Sequence, residues 1–178
     1  MAFPFRRLPA VAILSLAGLL GALLRMSAAE MVLLPRTEGK TLADQRVVVA
    51  NAVKGKATLL IITFTRSAGE KAREWRNALR QKGLPTPNYT LYQIAELEDV
   101  PRIIRWSVIS GMRRGIPTDE YSTFMVLTTD TEQWKKFVAF KNEDDPYLVI
   151  LDASGNVKAR IAGDKTDATL DQLTQALK

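Results

Sequence analysis

"PYLVILDASGNVKARIAG", residues 146–163, decides the architecture. A continuous apolar run from Tyr147 to Leu151 has the length and residue types of a strand. Asp152 to Asn156 then supplies Asp, Ser, Gly and Asn, the residues that turn a chain. Val157 onward reads as the returning strand, so the segment is a β-hairpin. The chain closes on "TDATLDQLTQALK", 166–178, an amphipathic helix with Thr166 as its cap and Leu170, Leu173 and Leu177 inward.

Working back from the hairpin, strands and helices alternate. "DTEQWKKFVAF", 130–140, is a helix with Asp130 as N-cap and Gln133 at N3, and "STFMVLTT", 122–129, is a strand. "EDVPRIIRWSVISGMRRGIP", 98–117, is helical between its two prolines, but its arginines do not gather on one side. "YTLYQIAEL", 89–97, is a strand. "GKATLLIITFT", 55–65, is a continuous apolar run, the mark of a strand buried on both faces. Between those two strands, Ala68, Ala72, Trp75 and Leu79 share one face of a helix over 68–82, ended by Gly83, Pro85 and Pro87. "RVVVANA", 46–52, reads as an edge strand and residues 30–45 as an irregular lead-in. The expected order is β–β–α–β–α–β–α–β–β–α: a mixed central sheet flanked by helices.

Composition excludes much chemistry. Apolar residues make up 47% of the 178, enough for one core. There is no Cys and no His. Thiol nucleophiles, disulfides and thiolate metal sites are therefore out, as are imidazole-based triads and nearly all zinc chemistry. No cofactor and no metal site is expected. The first 29 residues read as an export signal: basic "MAFPFRRLP", apolar "AVAILSLAGLLGALL" at 10–24, then small Ser27 and Ala29 before Glu30. This implies a periplasmic or extracellular protein; the alternative is an uncleaved membrane anchor at 10–24. The 25 basic residues include Arg6, Arg7 and Arg25, so the remainder carries 22 against 19 acidic residues. That ordinary balance, without an aromatic-studded basic stripe, gives no case for nucleic acid.

The hairpin and closing helix, with Pro146 six residues before Asp152 and Gly155 completing the turn, resemble the C-terminal ββα unit of thioredoxin-like proteins. The resemblance covers 46–178, with 98–123 as an insertion. It implies that the family's redox pair would fall at Ala68 and Lys71, or at Gly69 and Ala72. Neither register holds a nucleophile, so thiol oxidoreductase and peroxidase activities do not carry over. A narrower resemblance is to the cysteine-poor family of mitochondrial ATP-synthase assembly factors, which chaperone subunit a of the proton channel. It rests on "FTRSAGEKAREW" (64–75), "SVISGMRRGIPTDEY" (107–121) and "DDPYLVILDASGNVKARIAG" (144–163). The chain departs from that family in having Arg160 but no Trp in "VKARIAG".

Several residues invite a functional and a structural reading together. Ser67 and Glu70 form Ser-x-x-Glu, a capping box; the sharper alternative is an anion site at that helix start, aided by Arg66 and Lys71. Pro146 reads first as structural, with its peptide either cis or trans; the sharper reading is that it shapes a docking surface beside the junction. Trp75 and Trp134 belong to the core, and Trp106 also reads as core first and interface anchor second. Arg102, Arg105, Arg113 and Arg114 read as a solvated face, or as contacts to lipid headgroups or an acidic partner. Glu143, Asp144 and Asp145 read as a solvated loop. These observations point to a non-catalytic binding or assembly module. Its expected partner is a protein, in particular a membrane complex, with peripheral membrane contact as a further option. The contact candidates are Arg66, Ser67, Glu70, Arg102, Arg105, Trp106, Arg113, Arg114 and Pro146. The competing readings are a carboxylate-dependent hydrolase, marked by an acid of raised pKa in a pocket, and an accessory subunit of a redox-competent partner.

Overall fold

A computed structural model describes residues 33–177 of the chain; the expected export signal or anchor at 1–29 lies outside the described residues. In chain order the elements are β1 (Glu38–Thr41), β2 (Arg46–Val48), α1 (Val49–Ala52), β3 (Ala57–Thr63), α2 (Arg66–Gln81), β4 (Tyr89–Glu96), α3 (Arg102–Gly115), β5 (Phe124–Leu127), α4 (Thr131–Val138), β6 (Tyr147–Leu151), β7 (Val157–Ala162) and α5 (Asp167–Ala176). A 3-10 turn at Thr118–Glu120 joins α3 to β5. The seven strands form one sheet in the order β2-β1-β5-β4-β3-β6-β7. β3 runs parallel to β4 and β4 to β5, while the outer pairs are antiparallel. The mixed sheet with helices on both faces is as the residue pattern implied.

Two stretches differ from the sequence reading. The lead-in at 30–45 is not irregular throughout: "EGKT" forms β1, which pairs with both β2 and β5. Its strand character comes from its partners, β2 just after it and β5 far along the chain, since it has no alternating apolar pattern of its own. "RVVVANA" is a strand only to Val48. From Val49 the chain makes one helical turn, which buries Val49 completely.

Period-two alternation sends β3 into two cores. Leu60 and Ile62 join Ile94, Met125, Leu127, Tyr147 and Val149 beneath Trp134 and Phe137 of α4. Leu59 and Ile61 join Leu91, Leu148 and Ile150 beneath Trp75 and Leu79 of α2 and Leu170 and Leu173 of α5. A third cluster lies beside α2 on that same face, where Val108, Ile109 and Met112 of α3 cover Ala95, Leu97, Phe124 and Val126. The register places Ile61, Gln93 and Phe124 side by side across β3, β4 and β5, so α2 and α3 share one face of the sheet.

Helix starts are set by tertiary geometry as much as by local pattern. Thr166 caps α5 as expected, accepting from the Thr169 N–H at 3.1 Å. Asp130 does not cap α4: it sits in the left-handed region (φ 69°) and accepts instead from the Thr37 hydroxyl at 2.8 Å. Glu98 replaces it, its Oε2 accepting from the Thr131 N–H at 2.9 Å and the Thr131 hydroxyl at 2.7 Å. Those bonds hold the Glu98 carboxyl below its ordinary pKa.

Candidate functional site

The junction opens where β3, buried from Thr58 to Thr63, meets α2. Phe64 turns edge-on to Phe140 (5.3 Å) and Tyr147 (5.9 Å), which fixes the exit of the strand. Thr65 is then extended (φ −133°, ψ 168°) and caps the helix, its Oγ1 accepting from the Ala68 N–H at 3.1 Å. The expected Ser67–Glu70 capping box is therefore not formed. The helix begins one residue before Ser67, Ser67 is exposed, and Glu70 pairs with Arg66 at 3.3 Å.

The same Thr65 hydroxyl reaches the Glu143 carbonyl (3.1 Å) and Asp144 Oδ1 (3.2 Å), binding the junction to the loop before β6. Lys71 completes the clamp, 2.8 Å from Asp164 and 3.3 Å from Asp145. The bond to Asp164 raises its pKa more than burial lowers it. The Trp75 indole N–H donates to the Gly163 carbonyl at 2.9 Å. Of the three acids at 143–145, Asp144 thus meets Thr65, Asp145 meets Lys71 and Glu143 is engaged through its backbone carbonyl, and among the described residues no group of three metal-ligating side chains converges. Pro146 lies across from the junction as expected, but it is buried and its peptide is trans; the cis X–Pro bond is Leu84–Pro85. Pro146 is therefore a wall of the fold and offers no docking surface.

α3 behaves differently. None of its residues is fully buried. Trp106 is 78% exposed and Ile103 90% exposed, which corrects the core reading of Trp106. Arg102 and Arg114 are exposed, but Arg105 and Arg113 serve the fold. Arg105 donates to the carbonyls of Val100 and Glu98, both at 2.8 Å. Arg113 donates to the Leu42 carbonyl at 3.1 Å and to Asp44 at 2.8 Å. The arginines of this helix therefore do not form one solvated face. Arg105 ties it to its own lead-in loop, and Arg113 ties it to the loop after β1.

Between α2 and α3 lies a cavity of about 690 Å³, walled by Ile61, Phe124, Val108 and Met112 and open toward the junction at Gly69 and Glu70. Arg76, in its wall, is only 4% exposed and escaped sequence reasoning. Its Nη1 is 3.4 Å from Gln93 Oε1 and 3.5 Å from Glu120 Oε2, and burial lowers its pKa. The available signal was its spacing of four from Ala72, on the buried face. Glu96 is the acid whose pKa burial raises. Its carboxyl, however, turns to the α4 face: Oε1 accepts from the Glu98 N–H at 2.7 Å, and it bonds the Thr131 side chain. Along β4, Gln93 and Ala95 face the cavity while Ile94 and Glu96 face away. Glu96 borders the cavity, but its carboxyl is committed to Glu98 and Thr131.

No family model matches the sequence, and no curated protein matches it. Solved structures do. The exposed lipoprotein thioredoxin Etrx1 of Streptococcus pneumoniae TIGR4 superposes with a TM-score of 0.53 at 13% identity, over 78% of this chain and 97% of that one. The thioredoxin domain of a thiol-disulfide oxidoreductase from Bacteroides vulgatus gives 0.53 at 17% identity, over 78% and 93%. BsSco, of the Sco family of cytochrome c oxidase assembly proteins, gives 0.50 at 11% identity, over 78% and 90%. The chain has the thioredoxin-like fold. It is a cysteine-free example, so thiol-disulfide exchange has no thiol to work through.

Proposed function

We propose that this domain is a non-redox binding module that engages a protein partner through the first turns of α3. The observation that carries the reading is the apolar tip of that helix. Ile103 and Trp106 stand 90% and 78% exposed beside Arg102, while Arg105 and Arg113 are spent on the loops that flank the helix. Trp and Arg together on an exposed surface are the residue types that dominate binding energy at interfaces. The junction supports the same reading by contrast, because Thr65 and Lys71 are consumed in internal contacts.

The setting we infer is assembly of a membrane complex outside the cytoplasm. It is motivated by the signal-like sequence at 1–29 and by the resemblance of 64–75, 107–121 and 144–163 to ATP-synthase assembly factors. Among the described residues no helix is long and apolar enough to cross a membrane. The Sco relative belongs to a family of assembly proteins on this same fold, though fold alone does not transfer the role. The hydrolase reading required a raised acid free to act in a pocket, and the Glu96 carboxyl, although the residue borders the cavity, is taken up by the Glu98 N–H and Thr131. The test is photo-cross-linking of the full chain with a reactive residue at 106 or at 67, in detergent-solubilised membranes. A discrete protein adduct is expected at 106 and not at 67. Adducts at 67 alone, or at neither position, overturn the proposal.

A further inference from the structure

We propose that the cavity between α2 and α3 binds a small amphipathic carboxylate, its apolar body against Ile61, Phe124 and Met112 and its head on the side edge of Arg76. This does not rest on the partner reading of the α3 tip. The volume, about 690 Å³, is within the range of roughly 300–1,000 Å³ in which small-molecule sites fall.

The first argument is an unfinished guanidinium. Arg76 Nε is buried and has no hydrogen-bond partner. Both contacts of the group, to Gln93 and Glu120, run through Nη1. Nε and Nη2 form the other edge, the one that takes a carboxylate through two parallel N–H bonds. A buried donor without a partner is costly, and a ligand oxygen at this edge would remove that cost. Glu120 is an incomplete counter-ion because Arg80 also holds it.

Charge around the cavity agrees. Arg73 and Arg114 line it as well, and neither forms an ion pair among the described residues. Of the acids, Glu70 already faces Arg66, and the Glu96 carboxyl is committed to Glu98 and Thr131. The lining is therefore cationic above an apolar floor, which suits an anion with an apolar body rather than a neutral or cationic one.

Glycine placement gives a separate argument. Gly69 of α2 and Gly111 of α3 both line the cavity from within helices, where glycine is destabilising relative to alanine. No close packing accounts for them: a Cβ at Gly69 meets nothing within 4 Å, and one at Gly111 meets only Arg114 Nη2 at 3.9 Å. What the two glycines provide is open space between the helices.

The probes are sodium dodecanoate and dodecanol, each titrated into the full-chain protein by calorimetry, with the Arg76 Nε–H resonance followed by NMR. Dodecanoate is expected to bind at least tenfold more tightly than dodecanol and to be the one that shifts the Arg76 resonance. Arg76→Met is expected to bring dodecanoate down to the affinity of dodecanol. Gly111→Phe, which fills the cavity from a position with room for its Cβ, is expected to abolish both while keeping the wild-type melting temperature. If Arg76→Met does not fold, the resonance shift and Gly111→Phe decide. Equal affinities for the two probes, no binding of either, a bound dodecanoate that leaves Arg76 unmoved, or full dodecanoate binding to folded Gly111→Phe would each overturn the proposal.

Discussion

α2 and α3 are of similar length, 16 and 14 residues, and they lie on the same face of the same sheet. They are nonetheless built for opposite purposes. α2 buries Ala68, Ala72, Trp75, Arg76, Ala78 and Leu79, starts on a side-chain cap, and is clamped by Lys71 to two loops. α3 buries no residue completely and has no side-chain cap. Its hold on the sheet comes from the partly covered Val108, Ile109 and Met112, and Arg105 and Arg113 add hydrogen bonds to carbonyls of neighbouring loops. The contrast teaches which helix the fold uses up and which it leaves with apolar side chains to spare. At the start of α2, Thr65 and Lys71 are spent on internal contacts. α3 instead exposes Ile103, Ile104 and Trp106, apolar side chains that the fold does not use.

The strongest way to break this comparison is to truncate one tryptophan from each helix. Trp75→Ala removes a fully buried ring and its bond to Gly163, and is expected to cost about 3–5 kcal/mol in urea unfolding. Trp106→Ala in the same assay is expected to change stability by no more than about 0.5 kcal/mol. A comparable cost for the two would mean that α3 is core. The next effect sharpens the account of the junction: Thr65→Ala is expected to cost about 1 kcal/mol, and Ser67→Ala almost nothing. The reverse ranking would restore the capping box. Smaller again, Gly69→Ala is expected to stabilise by roughly 0.5–1 kcal/mol, since its Cβ meets no neighbour.

The smallest expected effect lies on the opposite face. Burial raises the Glu96 pKa in the folded state, so between its unfolded and folded values the native protein holds more protons. Stability attributable to Glu96 therefore falls as pH rises through that window. Glu96→Gln, which keeps an acceptor for the Glu98 N–H, is expected to flatten this decline and to be at least as stable as wild type at pH 7. Melting temperatures measured from pH 4 to pH 8 test it; a variant that loses stability at neutral pH contradicts it.

Much of this could be read from the residues because the relevant signals are local. The hairpin at 146–163 carries its own turn chemistry, and Trp75 and Trp134 lie on helical stripes that can only face a core. The misses share a cause, which is competition from distant parts of the chain. Ser67 and Glu70 match a capping box, but packing of Phe64 against Phe140 and Tyr147 places Thr65 at the cap first. "EGKT" becomes a strand because β2 and β5 receive it. Arg76 looks like a surface residue until Gln93 and Glu120, from two other elements, close over it. Trp106 gave no decisive signal, since the mixed pattern of 102–114 defines no inward face.

The central claim, that α3 and not the junction meets the partner, is tested most directly by hydrogen exchange on the full chain. The measurement compares backbone amides with and without the protein captured by cross-linking at position 106. The account predicts new protection confined to residues 102–107, lost in Trp106→Glu at an unchanged melting temperature. Protection at residues 64–70 with none on α3 would contradict it.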